Sequence, residues 1–309
     1  MKCKYWKKCE HYQEDSLTCN KNAGGYYPDG FCSKVPGCYV EMARLQEESK
    51  LKRKNNRKIN KIINLTKYLW NQGGLNNLKP LFLWLLIIPL RKYHFFGIVA
   101  YLRRKRVTFR LEGRIIEGKV AHIGTIKEVI VENGYKIDQE IKGDIIDAGA
   151  NIGIAQLVLK KMASKNSKMI CVEPDPGNVS LLIRNQGLNC EILVAALSDK
   201  VGKANFSFAS TGITSHFSNY ARQSVKITTI DQLTKNNKLN PGLIKIDVEG
   251  ADLKVLQGAR KTLKKFKPII IIEIHSIELE LRIKLLLKLY GYNSGEPRGN
   301  NIWVFRSKE

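Results

Sequence analysis

The run GDIIDAGANIG, residues 143–153, places an aspartate, an asparagine and two glycines at a spacing that can cradle a ligand. Ile145 and Ile146 read as a short buried strand ending at Asp147. The turn Gly149 to Gly153 then leads into an apolar pattern of helical period at Ile154, Leu157 and Val158. Strand, glycine turn and helix let the backbone approach a cofactor closely, and the helix start offers free N–H groups. The pattern is D-x-G-x-N-x-G, not G-x-G-x-x-G. An acid at the strand end would repel a pyrophosphate, whereas it suits a ligand with an amino-acid moiety and a positive sulfonium. Asp147, Gly149, Asn151 and Gly153 are therefore candidate cofactor contacts. Glu173, 26 residues after Asp147, ends the next strand (168–172) and could accept hydrogen bonds from both hydroxyls of a ribose. A third strand, 190–196, closes on Asp199, which is read either as an adenine contact or as a turn acid.

Two further strands complete the set. One, 243–246, ends in Asp247-Val248-Glu249, and the other, 268–272, ends in Glu273-Ile274-His275. Ligands of open α/β sheets collect outside the carboxyl ends of the strands, and these acids and this histidine sit at such ends.

Five blocks in order, GDIIDAGANIG (143–153), CVEPDP (171–176), TTIDQL (228–233), LIKIDVEGAD (243–252) and PIIIIEIH (268–275), resemble the FkbM-type family of methyltransferases dependent on S-adenosylmethionine (SAM). The resemblance covers about residues 107–306. It implies a class I Rossmann-like α/β fold with a seven-stranded, mostly parallel sheet, SAM as methyl donor, and O-methylation of a sugar, lipid-linked glycan or other small metabolite. It also implies that Asp147, Gly149, Asn151 and Gly153 line the SAM pocket, that Glu173 holds the ribose, and that Thr211 to Ser215 help close the acceptor site. Methyl transfer from a sulfonium needs two partners held in line, and a hydroxyl acceptor gains from a base. Asp247 and His275 are the first candidates for that base. Glu273, two residues before His275, could share its face, and Glu249 is a further candidate. A purely structural histidine is the competing reading of His275.

These residues need a parallel sheet to position them, and residues 107–309 alternate short β-branched runs with helical patterns, as such a sheet requires. Two segments precede it. Residues 1–40 hold Cys3, Cys9, Cys19, Cys32 and Cys38, with His11 nearby. So short a segment with so few aliphatic residues needs a staple, and zinc, disulfides, an iron–sulfur cluster or free thiols are all open. No C-x2-C spacing is present. Cys171 and Cys190 fall on strands and read as core. Residues 41–106 form a basic, apolar helical connector.

The formal net charge is +24, and no acid occurs between Glu48 and Glu112, where 16 Lys and Arg fall. Such a block suits an anionic partner or a solvated face. The apolar run 81–90 is too short to span a bilayer. Its neighbours Trp70, Trp84, Tyr93, Phe95 and Phe96 fit an anionic membrane surface, or else a helix that packs on the catalytic domain. The N-terminus has no apolar h-region, which favours an intracellular, cytoplasmic chain, on the inner face of the membrane if it is peripheral. Two other functions compete: an RNA methyltransferase that uses the basic region, and a non-catalytic scaffold on the same fold. Bound nucleic acid is the lesser expectation, because strand four ends in Asp-Val-Glu-Gly, unlike a base-methylating Asn/Asp-Pro-Pro-Tyr site.

Overall fold

The computed structural model describes residues 12–13, 18–19, 38–93, 95–185, 190–207, 216–217, 223–274, 276–298 and 301–308. The chain divides into two compact units, Met1–Asn64 and Leu65–Glu309. The first contains a two-residue antiparallel pair, Tyr12–Gln13 with Thr18–Cys19, and most of helix α1 (Cys38–Gly73). The second contains the sheet.

Seven strands make that sheet: β3 (Asp144–Ala148), β4 (Met169–Val172), β5 (Glu191–Leu193), β10 (Pro241–Ile246), β11 (Ile269–Glu273), β12 (Glu296–Arg298) and β13 (Ile302–Phe305). Their spatial order is β12-β13-β11-β10-β3-β4-β5, and β13 alone runs against the direction of the other six. This is the class I Rossmann-like fold. From β3 the chain winds outward through β4 and β5, then returns to lay β10 on the other side of β3. A crevice opens where the winding reverses, at the carboxyl ends of β3 and β10.

The central strands are near-continuous apolar runs because helices cover both faces. Side chains alternate between faces. Ile146, Ile170, Ile244 and Ile270 join one core with helices α6 (Ile230–Asn236), α7 (Asp252–Gln257), α8 (Arg260–Phe266) and α9 (Ile277–Leu289). Ile145, Cys171, Leu243 and Ile271 join the other, with α4 (Ile154–Met162) and α5 (Pro176–Arg184).

The second core also takes in Leu65, Leu69 and Leu81. The last turns of α1 and the helices α2 (Leu75–Lys92) and α3 (Phe96–Arg104) are thus part of the second unit. A hairpin of β1 (Arg106–Leu111) and β2 (Arg114–Lys119) follows them. Asn77, fully buried, ties three pieces together. Its Nδ2 donates to Leu69 O at 3.0 Å and to Arg110 O at 2.8 Å, and its Oδ1 accepts from Arg110 N at 2.7 Å. Asn185 does the same for the hairpin. Its amide donates to Ile152 O at 2.9 Å and to Glu117 O at 3.0 Å, and it accepts from Glu117 N at 2.8 Å. The hairpin is thereby held against the turn that follows β3. Pro89 does not end α2, which continues to Lys92 with Leu81 buried and Phe82 and Ile88 exposed. No helix among the described residues is long and apolar enough to cross a membrane.

The third strand is shorter than 190–196. It ends at Leu193, and Ala196–Leu197 forms a separate strand, β6. With β7 (Gly202–Ser207), β8 (His216–Phe217) and β9 (Gln223–Thr228), β6 belongs to a second, four-stranded sheet in the order β8-β7-β9-β6. An unbroken apolar stretch does not reveal where a chain changes sheets, because both sheets bury it.

Candidate active site

Every odd-numbered residue at the ends of β3, β4, β10 and β11 leans to the same face of the sheet. That parity gathers Asp147, Glu173, Lys245, Asp247 and Glu273. A cavity of about 940 Å³ opens there, and Glu173, Lys245, Asp247 and Glu273 line it together with Gly149 and Asn151.

The turn after β3 is shaped by glycine. Gly149 has φ +78°, and a Cβ on it would lie 1.8 Å from Asp247 O, so only hydrogen fits between the two strand tips. Gly153 has φ +95° and starts α4. The backbone of this turn bonds to the next strand, with Gly149 N donating to Val172 O at 2.9 Å and Ala150 N to the same oxygen at 3.1 Å. Gly153 itself is not among the residues that line the cavity and acts through the turn.

Glu173 is 5 % exposed. Its Oε2 accepts from Asn151 N at 2.9 Å, and its Oε1 accepts from Asp175 N at 3.0 Å and from Asn178 Nδ2 at 3.4 Å. Burial pushes its pKa up to about 7, against these bonds, which favour the carboxylate. Asp175 caps α5 by accepting from Gly177 N and Asn178 N, which fixes the loop that carries Glu173.

Two expectations need correction. Asp147 does not line the cavity. It is fully buried beneath the floor, where Lys245 Nζ approaches its Oδ1 at 3.1 Å. The fold thus sets it against Lys245 and away from the cavity lining. Asp199 is exposed, outside the cavity lining, with its Oδ1 accepting from Ser198 Oγ at 3.0 Å. It is the turn acid of the two readings. The strand tip presented to the cavity is instead Ala195 to Leu197, because the chain changes sheets there.

Lys245 is the residue that motif reading passed over. It is 2 % exposed near the carboxyl end of β10, and the strand register sets it directly beside Asp147. Its Nζ donates to Gly149 O at 2.7 Å and lies 3.6 Å from Asp247 Oδ2. Burial alone would lower its pKa, but Asp147, Asp247 and Glu273 outweigh burial and hold it cationic. A lone lysine within an otherwise apolar parallel strand was the available signal, since a buried charge requires a partner.

Asp247 also accepts from Tyr135 Oη at 3.4 Å. Burial first, then the neighbouring carboxylates, keeps that phenol protonated by raising its pKa. The turn after Asp247 is clamped by Asp252, which accepts from Val248 N at 3.3 Å and Gly250 N at 3.2 Å. Glu249, at φ +53°, lines the cavity too. Glu273 at the end of β11 has its pKa pushed up to about 8 by burial and then by Asp247 and Glu128. At neutral pH it holds a proton, and slightly above it becomes a base.

His275 and Thr211 to Ser215 lie outside the described residues, as do Cys3, Cys9, Cys32 and His11. Cys19 ends the short strand and Cys38 begins α1. Among the described residues no group of three or more His, Cys, Asp or Glu could hold a metal ion, so nothing described supports zinc. Cys171 is buried and Cys190 half-buried, both free thiols, and Gln156 Nε2 donates to Cys171 Sγ at 2.9 Å.

An α/β sheet with a glycine turn at its switch point and acids on four strand tips has the architecture of the class I methyltransferases. Residues 147–294, just under half of the chain, match the model of the methyltransferase FkbM domain. The chain is 26 % identical over 148 residues to the hexuronic acid methyltransferase AglP of Haloferax volcanii, a match covering 45 % of this chain and 59 % of that protein. The chain thus spans about three fifths of the relative's length. Among solved structures, methyltransferase FkbM from Methylobacillus flagellatus is 15 % identical with a TM-score of 0.42, covering 60 % of this chain and 54 % of that one. TYW2 from M. jannaschii, in complex with AdoMet, is 14 % identical with a TM-score of 0.33, over 65 % and 83 % of the respective chains.

Proposed function

We propose that this chain is a SAM-dependent O-methyltransferase acting on a hydroxyl of a sugar acceptor. The observation that carries the reading is one cavity with two unlike halves at adjacent strand tips. On one side are the cradle of Gly149 to Asn151 and the buried carboxylate of Glu173. On the other are Asp247 and Glu273.

The residues fit SAM. Gly149, Ala150 and Asn151 of the β3 turn line the cavity, and Glu173 faces it at the position where an acid can accept from both ribose hydroxyls. When bound, SAM supplies an electrophilic methyl carbon on a sulfonium. Lys245 fixes the turn backbone through Gly149 O and the Asp247 carboxylate at once. Glu273, with its pKa near 8, accepts the proton of the acceptor hydroxyl, and Asp247 orients that hydroxyl. The match to a hexuronic acid methyltransferase supports a sugar as the acceptor class.

Calorimetric titration with S-adenosylhomocysteine tests the cofactor half. Micromolar binding is expected. Glu173→Ala should weaken it by about 100-fold, the loss of two hydrogen bonds to a charged group at about 1.5 kcal/mol each. A folded wild-type protein that does not bind would refute the assignment.

A further inference from the structure

The cavity is larger than its strand-tip half. Part of its lining comes from α2 and α3: Trp84, Ile87, Ile88 and Arg91 on α2, and Phe96, Val99 and Arg103 on α3. None of these residues lies in the segment that matches the methyltransferase domain. At about 940 Å³ the cavity stands at the top of the roughly 300–1,000 Å³ that encloses one drug-sized ligand, which leaves space beyond a single cofactor.

Asp247, Glu249 and Glu273 line the cavity at the strand tips, with Lys245 paired to Asp247 among them, and Glu128 lines it from the helical turn 127–131, whereas Arg91 and Arg103 line it from α2 and α3. Neither arginine pairs with a carboxylate among the described residues, and no acid occurs between Glu48 and Glu112 to pair with them locally. An unpaired guanidinium on a cavity wall is a binding group for an anion, and arginine suits carboxylate or phosphate through its planar fork. Apolar lining near the half-buried Arg103 lowers the local dielectric and strengthens that interaction, and the exposed Arg91 adds to the positive field. An anionic acceptor group is repelled by the Asp247 and Glu249 carboxylates and drawn to the arginines. The polarity of the cavity therefore orients the acceptor as well as selecting it.

We infer that the α2–α3 wall is an acceptor subsite for an anionic amphiphile: its anionic group on Arg91 and Arg103, its apolar part against Trp84, Ile87 and Phe96, and its reacting hydroxyl toward Glu273. This rests on the methyltransferase reading and adds the class of acceptor. The anion could be a uronate carboxylate or a lipid phosphate, which share this chemistry.

Calorimetry with full-length protein and S-adenosylhomocysteine present, using probes below their micelle concentrations, distinguishes the outcomes. Octyl glucuronide or octyl phosphate should bind about tenfold tighter than neutral octyl glucoside, as a charge-assisted pair gives. The tighter of the two anions names the source. Glucuronic acid without its tail should bind weakly. The double variant R91A/R103A should lose the preference for the anion and keep its affinity for S-adenosylhomocysteine. Equal binding of octyl glucoside and both anions, an unchanged preference in the double variant, or no probe binding at all would overturn the subsite. Failure of the wild type to bind S-adenosylhomocysteine would instead count against the cofactor reading.

Discussion

Replacing Lys245 with methionine removes one ammonium from the cavity floor and leaves its shape nearly unchanged. In the native protein that ammonium lies 3.1 Å from Asp147 Oδ1, donates to Gly149 O at 2.7 Å, and reaches Asp247 Oδ2 at 3.6 Å. Asp147 is fully buried, so without its counter-ion it must either stay charged with no compensation or take up a proton. Breaking a buried pair by removing one partner costs about 3–5 kcal/mol. We expect a loss of that size at pH 7 in urea unfolding, read as a lower midpoint at unchanged slope.

The cost should also depend on pH. Burial already holds the Asp147 carboxyl above the usual carboxylate range, and loss of the ammonium raises it further. A carboxyl whose folded pKa exceeds its unfolded value keeps its proton in the fold while the unfolded chain releases one. Stability then falls as pH rises from the ordinary carboxylate range toward the folded value. The deficit of Lys245→Met should therefore shrink near pH 4 and grow toward neutrality. Asp147→Asn, and the double variant with Lys245→Met, complete a cycle that should show a coupling of about 2 kcal/mol or more. An additive cycle, or a single-variant cost below about 1 kcal/mol, would refute the role given to the pair.

Three further outcomes follow from the geometry. Gly149→Ala sets a methyl 1.8 Å from Asp247 O at a backbone φ of +78°. It should cost roughly 3 kcal/mol in thermal or urea unfolding and abolish binding of S-adenosylhomocysteine in the fraction that folds. With Glu273 at a pKa of about 8, kcat/KM should rise with pH through that value, and Glu273→Gln should flatten the rise in a pH–rate profile and lower kcat by about 100-fold. Asn77→Ala removes bonds to Leu69 and Arg110 from a fully buried site. It should cost about 2–3 kcal/mol in urea unfolding, because the backbone groups left behind are unsatisfied.

Much of this site was legible without coordinates, for local reasons. The β3 turn was readable because its conformation depends on glycine at Gly149 and Gly153, whose freedom no other residue shares. Glu173, Asp247 and Glu273 were readable because a parallel sheet collects its strand ends on one edge, and five apolar runs in sequence imply that sheet. What each acid does was not readable. Asp147 and Glu173 both end strands and look alike in sequence, yet one is sealed beneath the floor against Lys245 and the other faces the cavity. Burial and strand register separate them, and register is a property of pairing between residues 98 apart in the chain, Asp147 and Lys245.

The same holds for Ala195 to Leu197 and for the α2–α3 wall. Whether an apolar run continues a strand, crosses to a second sheet or lines a cavity depends on what packs against it. The composition of residues 65–106 was equally compatible with a membrane surface and with a buried face. Local chemistry determined the turn, the cavity-facing acid and the fold class. Tertiary packing alone decided which charges meet, because burial sets their pKa values and their partners come from distant strands.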